Sequence, residues 1–261
     1  MNGLLARWTS AIAGTPLVFW IGGSLLVYVI GANALWLLRD SLRRPLARWL
    51  VQVGRFLFYL VLPYLALGGW PRQPYQGLLS LEDMGLVGLS DHWPVTRWLE
   101  AAAVGLGWGV LALITLSLAW VSANRRDGST RLLFAPSRWW AVLVGVLYLQ
   151  VHWAFYRGAL AVMLDDAYAG VFLGLGLVYL ESSLSPFWRQ GWRLEAQSAE
   201  RWLRASLVLV IALLFLLTRN LWVCLAVHIL IEFSMRQLGR DRARRRLDLS
   251  SPQQVEPLTQ A

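Results

Sequence analysis

What most limits this chain is a succession of apolar runs, each close to the roughly 20 residues that a helix needs to cross a bilayer. Read in order, the runs predict spans at about 16–38, 50–69, 99–121, 139–163, 168–185, 205–218 and 220–238. The expected fold is therefore all-α: a polytopic transmembrane helical bundle of about seven spans, with the lipid bilayer as its solvent. The sixth and seventh runs are nearly continuous, so both cross only if the chain breaks at Thr218-Arg219-Asn220. If the break is tight, the sixth span is short or begins earlier, near Trp202.

Charge tests this division. Every basic residue is Arg, and the intervals 39–55, 122–138, 186–204 and 236–246 hold 5, 4, 4 and 6 of the 24. Arg7, Arg72, Arg97 and Arg219 fall in the alternate segments, and Arg157 lies in the interior of a span. Positively charged loops stay in the cytoplasm, so the N-terminus is expected outside and the C-terminus inside, in a cell inner membrane. Glu82, Asp83, Asp91, Glu100, Asp165 and Asp166 then all fall on the outer side. The formal net charge of +9 is explained by topology and calls for no nucleic acid partner. The single cysteine, Cys224, excludes an intrachain disulfide framework and a cysteine-rich zinc site. The run after Arg7 is too long for a signal peptide and reads as a retained first span.

One membrane domain, 1–238, is expected, followed by a basic tail, 239–261, that reads as disordered, with its Arg run held near anionic headgroups. Within the outer loop, Ser80-Leu81-Glu82-Asp83 has the hydroxyl-to-acid spacing of a capping box and predicts a short interfacial helix.

Polar groups inside the spans are few, and each is costly in hydrocarbon. Cys224, His228 and Glu232 recur every four residues on the last span, so they share one stripe of a helix. On the fourth span, Tyr148, His152 and Tyr156 form a similar stripe, with Trp153 and Arg157 as a second pair four residues apart. Arg157 cannot shed its proton, so it is expected either to snorkel toward Asp165 or Asp166 or to stack on Trp153. The fifth span carries Gly170, Gly174 and Gly176, which permit close helix approach, and then Tyr179 and Glu181. Counting about 1.5 Å per residue from the outer ends puts His152 and Tyr179 at about 17 Å, His228 at about 12 Å, Glu232 at about 18 Å and Glu181 at about 20 Å. Polar groups of three helices therefore converge near the middle of the bilayer.

These residues resemble the motifs of the CAAX protease and bacteriocin-processing (CPBP) family of intramembrane proteases. That family has a D-x-G-L element, matched here by Glu82-Asp83-Met84-Gly85-Leu86. It then has a helix with E-E-x-x-x-R-G, whose end is matched by Arg157-Gly158, and a helix with F-x-x-x-H. Its last motif runs T-G-x-L-W-x-x-x-x-x-H-x-x-x-N or D, matched by Thr218-Arg219-Asn220-Leu221-Trp222 with His228 and Glu232. The resemblance covers about residues 78–238 and implies hydrolysis of prenylated or other membrane-associated peptides. In the family the first glutamate activates water, while the histidines and the Asn or Asp stabilise the oxyanion or, in some proposals, bind metal.

The departures bear on that implication. His152 and Trp153 stand where the family has its two glutamates, Leu175 and Tyr179 fall at the F-x-x-x-H positions, and Glu232 replaces Asn or Asp. With the second glutamate gone, Trp153 is expected to hold Arg157 by a cation–π contact. The candidate catalytic residues are His228, Glu232, His152, Arg157, Tyr179 and Glu181, with Glu232 or Glu181 as a relocated base. Three classes stay open: a CPBP-type protein, active or catalytically silent; a non-enzymatic scaffold or complex subunit binding a protein partner; and a site for a divalent metal or cofactor at His152, His228 and Glu232. Cys224, one turn from His228, is buried in apolar surroundings and reads as inert.

Overall fold

A computed structural model of the chain describes residues 16–67, 79–87, 93–127, 138–193 and 195–250. Seven helices among the described residues are long and apolar enough to cross a membrane: Pro16–Leu37, Pro45–Leu67, Val95–Ser122, Trp139–Leu164, Ala167–Leu184, Arg201–Thr218 and Leu221–Asp241. The fold is an all-α bundle of an integral membrane protein. We label the helices α1 (Pro16–Leu37), α2 (Pro45–Leu67), α3 (Val95–Asp127), α4 (Trp139–Leu164), α5 (Ala167–Leu184), α6 (Pro186–Arg193), α7 (Glu195–Thr218) and α8 (Leu221–Ser250).

The turns follow from local chemistry. Between α4 and α5, Asp165 takes a left-handed conformation (φ 50°), and the Asp166 carboxylate accepts from the amides of Tyr168 and Ala169, capping α5. Between α7 and α8 the break falls at the tripeptide expected. Arg219 is left-handed (φ 49°), and Asn220 Oδ1 accepts from the amides of Trp222 at 2.9 Å and Val223 at 3.2 Å. The sixth span begins at Arg201, so it is long enough to cross without the shortening that a start at 205 would impose.

Helix α4 is central, packing against α1, α2, α5 and α8. Its contact with α5 is the closest because small residues face it. A Cβ on Gly170 would lie 2.5 Å from the Ala161 backbone, and one on Gly174 would lie 3.1 Å from that of Arg157. Gly176, expected to serve the same purpose, has nothing within 4 Å and takes no part. Helix α3 admits α8 in the same manner, with Val227 3.2 Å from where a Gly109 Cβ would stand, and Trp108 Nε1 donates to the Val210 carbonyl of α7 at 3.1 Å.

Residues 79–87 do not form the expected short helix. The reciprocal bonds of a capping box are present, Ser80 N and Oγ to Asp83 Oδ2 and Asp83 N to Ser80 Oγ, but they close a turn. Gly85, at φ 78°, stops helix propagation. Leu79, Met84 and Val87 are buried, and Gly85 O accepts from Leu221 N at 2.8 Å. The segment is thus a plug in one end of the bundle.

Helix α8 continues to Ser250, through the first part of the tail expected to be disordered. Its Arg, Ala and Leu residues favour helix over coil, and Gln237 Nε2 donates to Asp241 Oδ1 one turn on at 3.0 Å. The rest of that tail, the whole segment before Pro16 and most of the loop between α2 and α3 lie outside the described residues.

The two ends of the bundle differ in charge as the alternation requires. Glu82, Asp83, Asp165 and Asp166 line one cavity of about 750 Å³ together with Arg97 and Arg219. Arg55, Arg204 and Arg236 line another, of about 440 Å³, toward the opposite, Arg-rich end.

Candidate functional site

The cavity toward the Arg-rich end gathers five of the six candidate residues: His152, Tyr179, Glu181, His228 and Glu232 all line it. Five spans supply its polar wall beyond α4: α1, α2, α5, α7 and α8. Arg157 is not part of the lining.

Helix α4 presents two polar faces, because residues two apart point about 200° apart on a helix. His152 faces α5 and α2. Its Nε2 lies 2.9 Å from Glu181 Oε2, with both side chains buried. A carboxylate only accepts, so an ionised Glu181 holds the proton on Nε2 and leaves Nδ1 with its lone pair. Nδ1 is buried and has no hydrogen-bond partner among the described residues. Around the imidazole stand the rings of Phe58 (centroids 4.7 Å apart), Tyr59 (5.2 Å) and Tyr156 (4.5 Å), and the Tyr156 hydroxyl is hydrogen-bonded to Ser24 at 3.1 Å.

The second face of α4 carries Gln150, Trp153 and Arg157. Gln150 Nε2 donates to His228 Nδ1 at 2.8 Å, which places the His228 proton on Nε2. Trp153 lies flat on the same imidazole, 5.5 Å between centroids and 11° between planes. The expected Trp153–Arg157 stack is therefore absent: the Arg157 guanidinium sits 4.2 Å over the Phe215 ring of α7. Although four residues apart on one helix, each side chain finds an aromatic partner on a different neighbouring helix, and interhelical packing wins. Nor does Arg157 snorkel to Asp165 or Asp166. It is 3% exposed, and its Nε and Nη2 have no acceptor among the described residues.

Glu232 binds Arg236 one turn further along α8, Oε1 accepting from Nη2 at 2.7 Å and from Nε at 3.2 Å. The ion pair fixes the carboxylate and occupies its Oε1. Tyr179 uses its hydroxyl to donate to the Ala205 carbonyl at 2.6 Å, so it ties α5 to α7 and only its ring faces the cavity. Cys224 is fully buried, with Sγ 4.0 Å from the Ile211 carbonyl, away from the cavity.

The trio expected to bind metal is not arranged for it. His152, His228 and Glu232 each hold a different protein partner, and among the described residues no group of three or more His, Cys, Asp or Glu side chains is placed to ligate an ion. A ligand set needs its donors about 2 Å from one common point.

Several wall residues had no sequence argument behind them. Gln150, which stands behind the wall as the partner of His228, carried a usable signal, an amide in an apolar span seven residues before Arg157 on the same helix face. Tyr28 and Tyr59 come from the first two spans, outside the stretch that carries the motifs.

The geometry also clarifies the family pattern. The family has a carboxylate on one helix and a histidine on the next. Here the imidazole is on α4, at the first-glutamate position, and the carboxylate is on α5, two residues beyond the aligned Tyr179. No protein-family model matches this chain, nor does any curated protein or solved structure, so the resemblance rests on these residues and their spacing.

Proposed function

We propose that this chain is a divergent CPBP-type intramembrane peptidase whose water-activating group is the His152–Glu181 pair. The observation that carries the proposal is the 2.9 Å hydrogen bond between these two buried side chains in the wall of one cavity. Glu181 orients His152, and Nδ1 accepts the proton of a water as its oxygen attacks the carbonyl carbon of a bound peptide bond. The C–N bond then breaks, and the same proton passes to the departing amine. Placement in the membrane follows the arginines: the cavity opens toward the cytoplasm, N-terminus outside and C-terminus inside. The substrate class is a membrane-associated peptide, reaching the cavity from the cytoplasmic leaflet.

Purified protein in nanodiscs, incubated with lipidated peptides, tests this through peptide release. Wild type is expected to cleave, with Glu181→Gln and His152→Ala slower by about 100-fold or more and Glu232→Gln only modestly affected. Equal release by all four proteins sinks the proposal.

A second reading has its own observation. Trp153 and Gln150 occupy His228, and Arg236 occupies Glu232, so the two residues matching the last family motif are both engaged. This favours a non-enzymatic scaffold that holds a membrane peptide without cutting it. Retention of intact peptide in a stable complex with the wild type marks that outcome.

A further inference from the structure

Peptide hydrolysis needs a donor to the carbonyl oxygen as negative charge develops there, and preorganised donors of this kind are worth more than any other single group. Arg55, Arg204, Arg236 and His228 carry N–H groups elsewhere in the wall, but the rings packed against His152 itself are those of Phe58, Tyr59 and Tyr156, and only the two tyrosines can donate. Glu232, at the position the family fills with Asn or Asp, is an acceptor held by Arg236. The Tyr179 hydroxyl donates to Ala205 O, and that of Tyr156 is bonded to Ser24.

Tyr59 differs from both. It lines the cavity, packs edge-on to the His152 ring at 5.2 Å and 82°, and stacks on Tyr148 at 6.0 Å and 14°. Two rings thus fix its orientation, while its hydroxyl has no hydrogen bond to any described residue. The backbone explains how it gets there. Residues Leu57–Val61 form a π-helical turn within α2, and the wider turn lets the consecutive residues Phe58 and Tyr59 both reach the His152 ring. Such local widening of a helix is frequent at functional sites.

We propose that Tyr59 is the hydrogen-bond donor to the oxygen of the carbonyl bound against His152. The assignment rests on the hydrolytic reading above for its chemistry. It also makes the α1–α2 hairpin part of the working site, although no motif falls there.

The test pairs turnover with binding. Two probes are used: a peptide with a phosphinate in place of the scissile amide, which carries a tetrahedral anion, and the same peptide with a methylene there. Tyr59→Phe removes one oxygen and keeps the ring, and Phe58→Leu serves as a packing control on the same imidazole. Wild type is expected to prefer the phosphinate. Tyr59→Phe should lose about 100-fold in phosphinate affinity and in kcat with methylene binding unchanged, whereas Phe58→Leu should keep the phosphinate preference. If wild type cleaves and Tyr59→Phe matches it in kcat and phosphinate affinity, the assignment is overturned and the peptidase reading stands. Loss of phosphinate preference in Tyr59→Phe when no form cleaves supports Tyr59 as the donor and overturns hydrolysis. No phosphinate preference in wild type overturns both.

Discussion

His152 on α4 and Glu181 on α5 meet at 2.9 Å in the interior of a membrane protein, each buried and each the other's hydrogen-bond partner. The pair is held by geometry on both sides. Gly170 and Gly174 draw α4 and α5 together, and Phe58, Tyr59 and Tyr156 wall the imidazole.

Because removing one member leaves the other buried without a partner, Glu181→Leu and His152→Leu should each cost about 1–3 kcal/mol of stability. The double mutant should cost less than the sum, with a coupling of about 0.5–3 kcal/mol as expected for side chains in contact. Exchanging the residues, His152→Glu with Glu181→His, restores the polarity seen in the family pattern and should recover most of the loss. Melting curves of the purified proteins in one detergent measure all four. Additive losses would show that the two side chains do not interact.

The α4–α5 contact gives a sharper contrast among glycines that look alike in sequence. A Cβ at Gly170 runs into the Ala161 backbone, which cannot move aside without separating the helices, whereas Gly176 faces open space. Gly170→Ala should therefore destabilise by about 1–3 kcal/mol, the usual cost of overpacking a fitted interface. Gly176→Ala should be neutral or slightly stabilising, since Ala is the better helix former by about 1 kcal/mol. The melting temperatures of the two variants decide it, and equal shifts would contradict the interface described.

Most of the fold was readable because hydrocarbon length is a strong constraint acting on whole segments. Each of the seven apolar helices overlaps the run that predicted it, with the second, third and sixth starting four or five residues earlier, and the last two part at Arg219. The convergence of His152, Glu181, His228 and Glu232 was readable from depth alone. Partner choice was not. Trp153 and Arg157 satisfy the spacing for an intrahelical contact, yet they turn to His228 and Phe215, because which neighbour lies opposite is fixed by helix rotation and packing. Tyr59 was invisible for a related reason. A π turn is a tertiary accommodation with no local sequence signature, and a lone Tyr in a span looks like ordinary packing.

Gly85 fixes the plug at the acidic end of the bundle. Its left-handed φ of 78° is unfavourable for residues with a Cβ, and a Cβ there would also run into the Phe215 ring and come 3.2 Å from the Arg219 carbonyl. The same residue accepts the Leu221 amide at the start of α8, so displacing it unfastens the α7–α8 turn. Gly85→Ala should lower stability by about 1–3 kcal/mol from backbone strain alone. Hydrogen exchange should quicken first at residues 79–87 and 219–224. Unchanged exchange there would mean that the segment is not docked as described.

Arg157 is the remaining test of how charge is tolerated in this interior. Its guanidinium lies over Phe215, its Nε and Nη2 have no acceptor among the described residues, and it stands outside the cavity wall. Burying a charge is costly, and replacing buried ionic groups by apolar ones of similar volume is often neutral or stabilising by about 1–4 kcal/mol. Methionine keeps much of the length and packing against Phe215 and Gly174 without the charge. Arg157→Met should therefore melt at or above the wild-type temperature and keep peptide release within about threefold, since a residue away from the reacting atoms changes little in the barrier. Arg157→Ala should lose about 2–4 kcal/mol through the space it leaves. A cooperative loss of folding in Arg157→Met would instead show that the charge itself holds the bundle together.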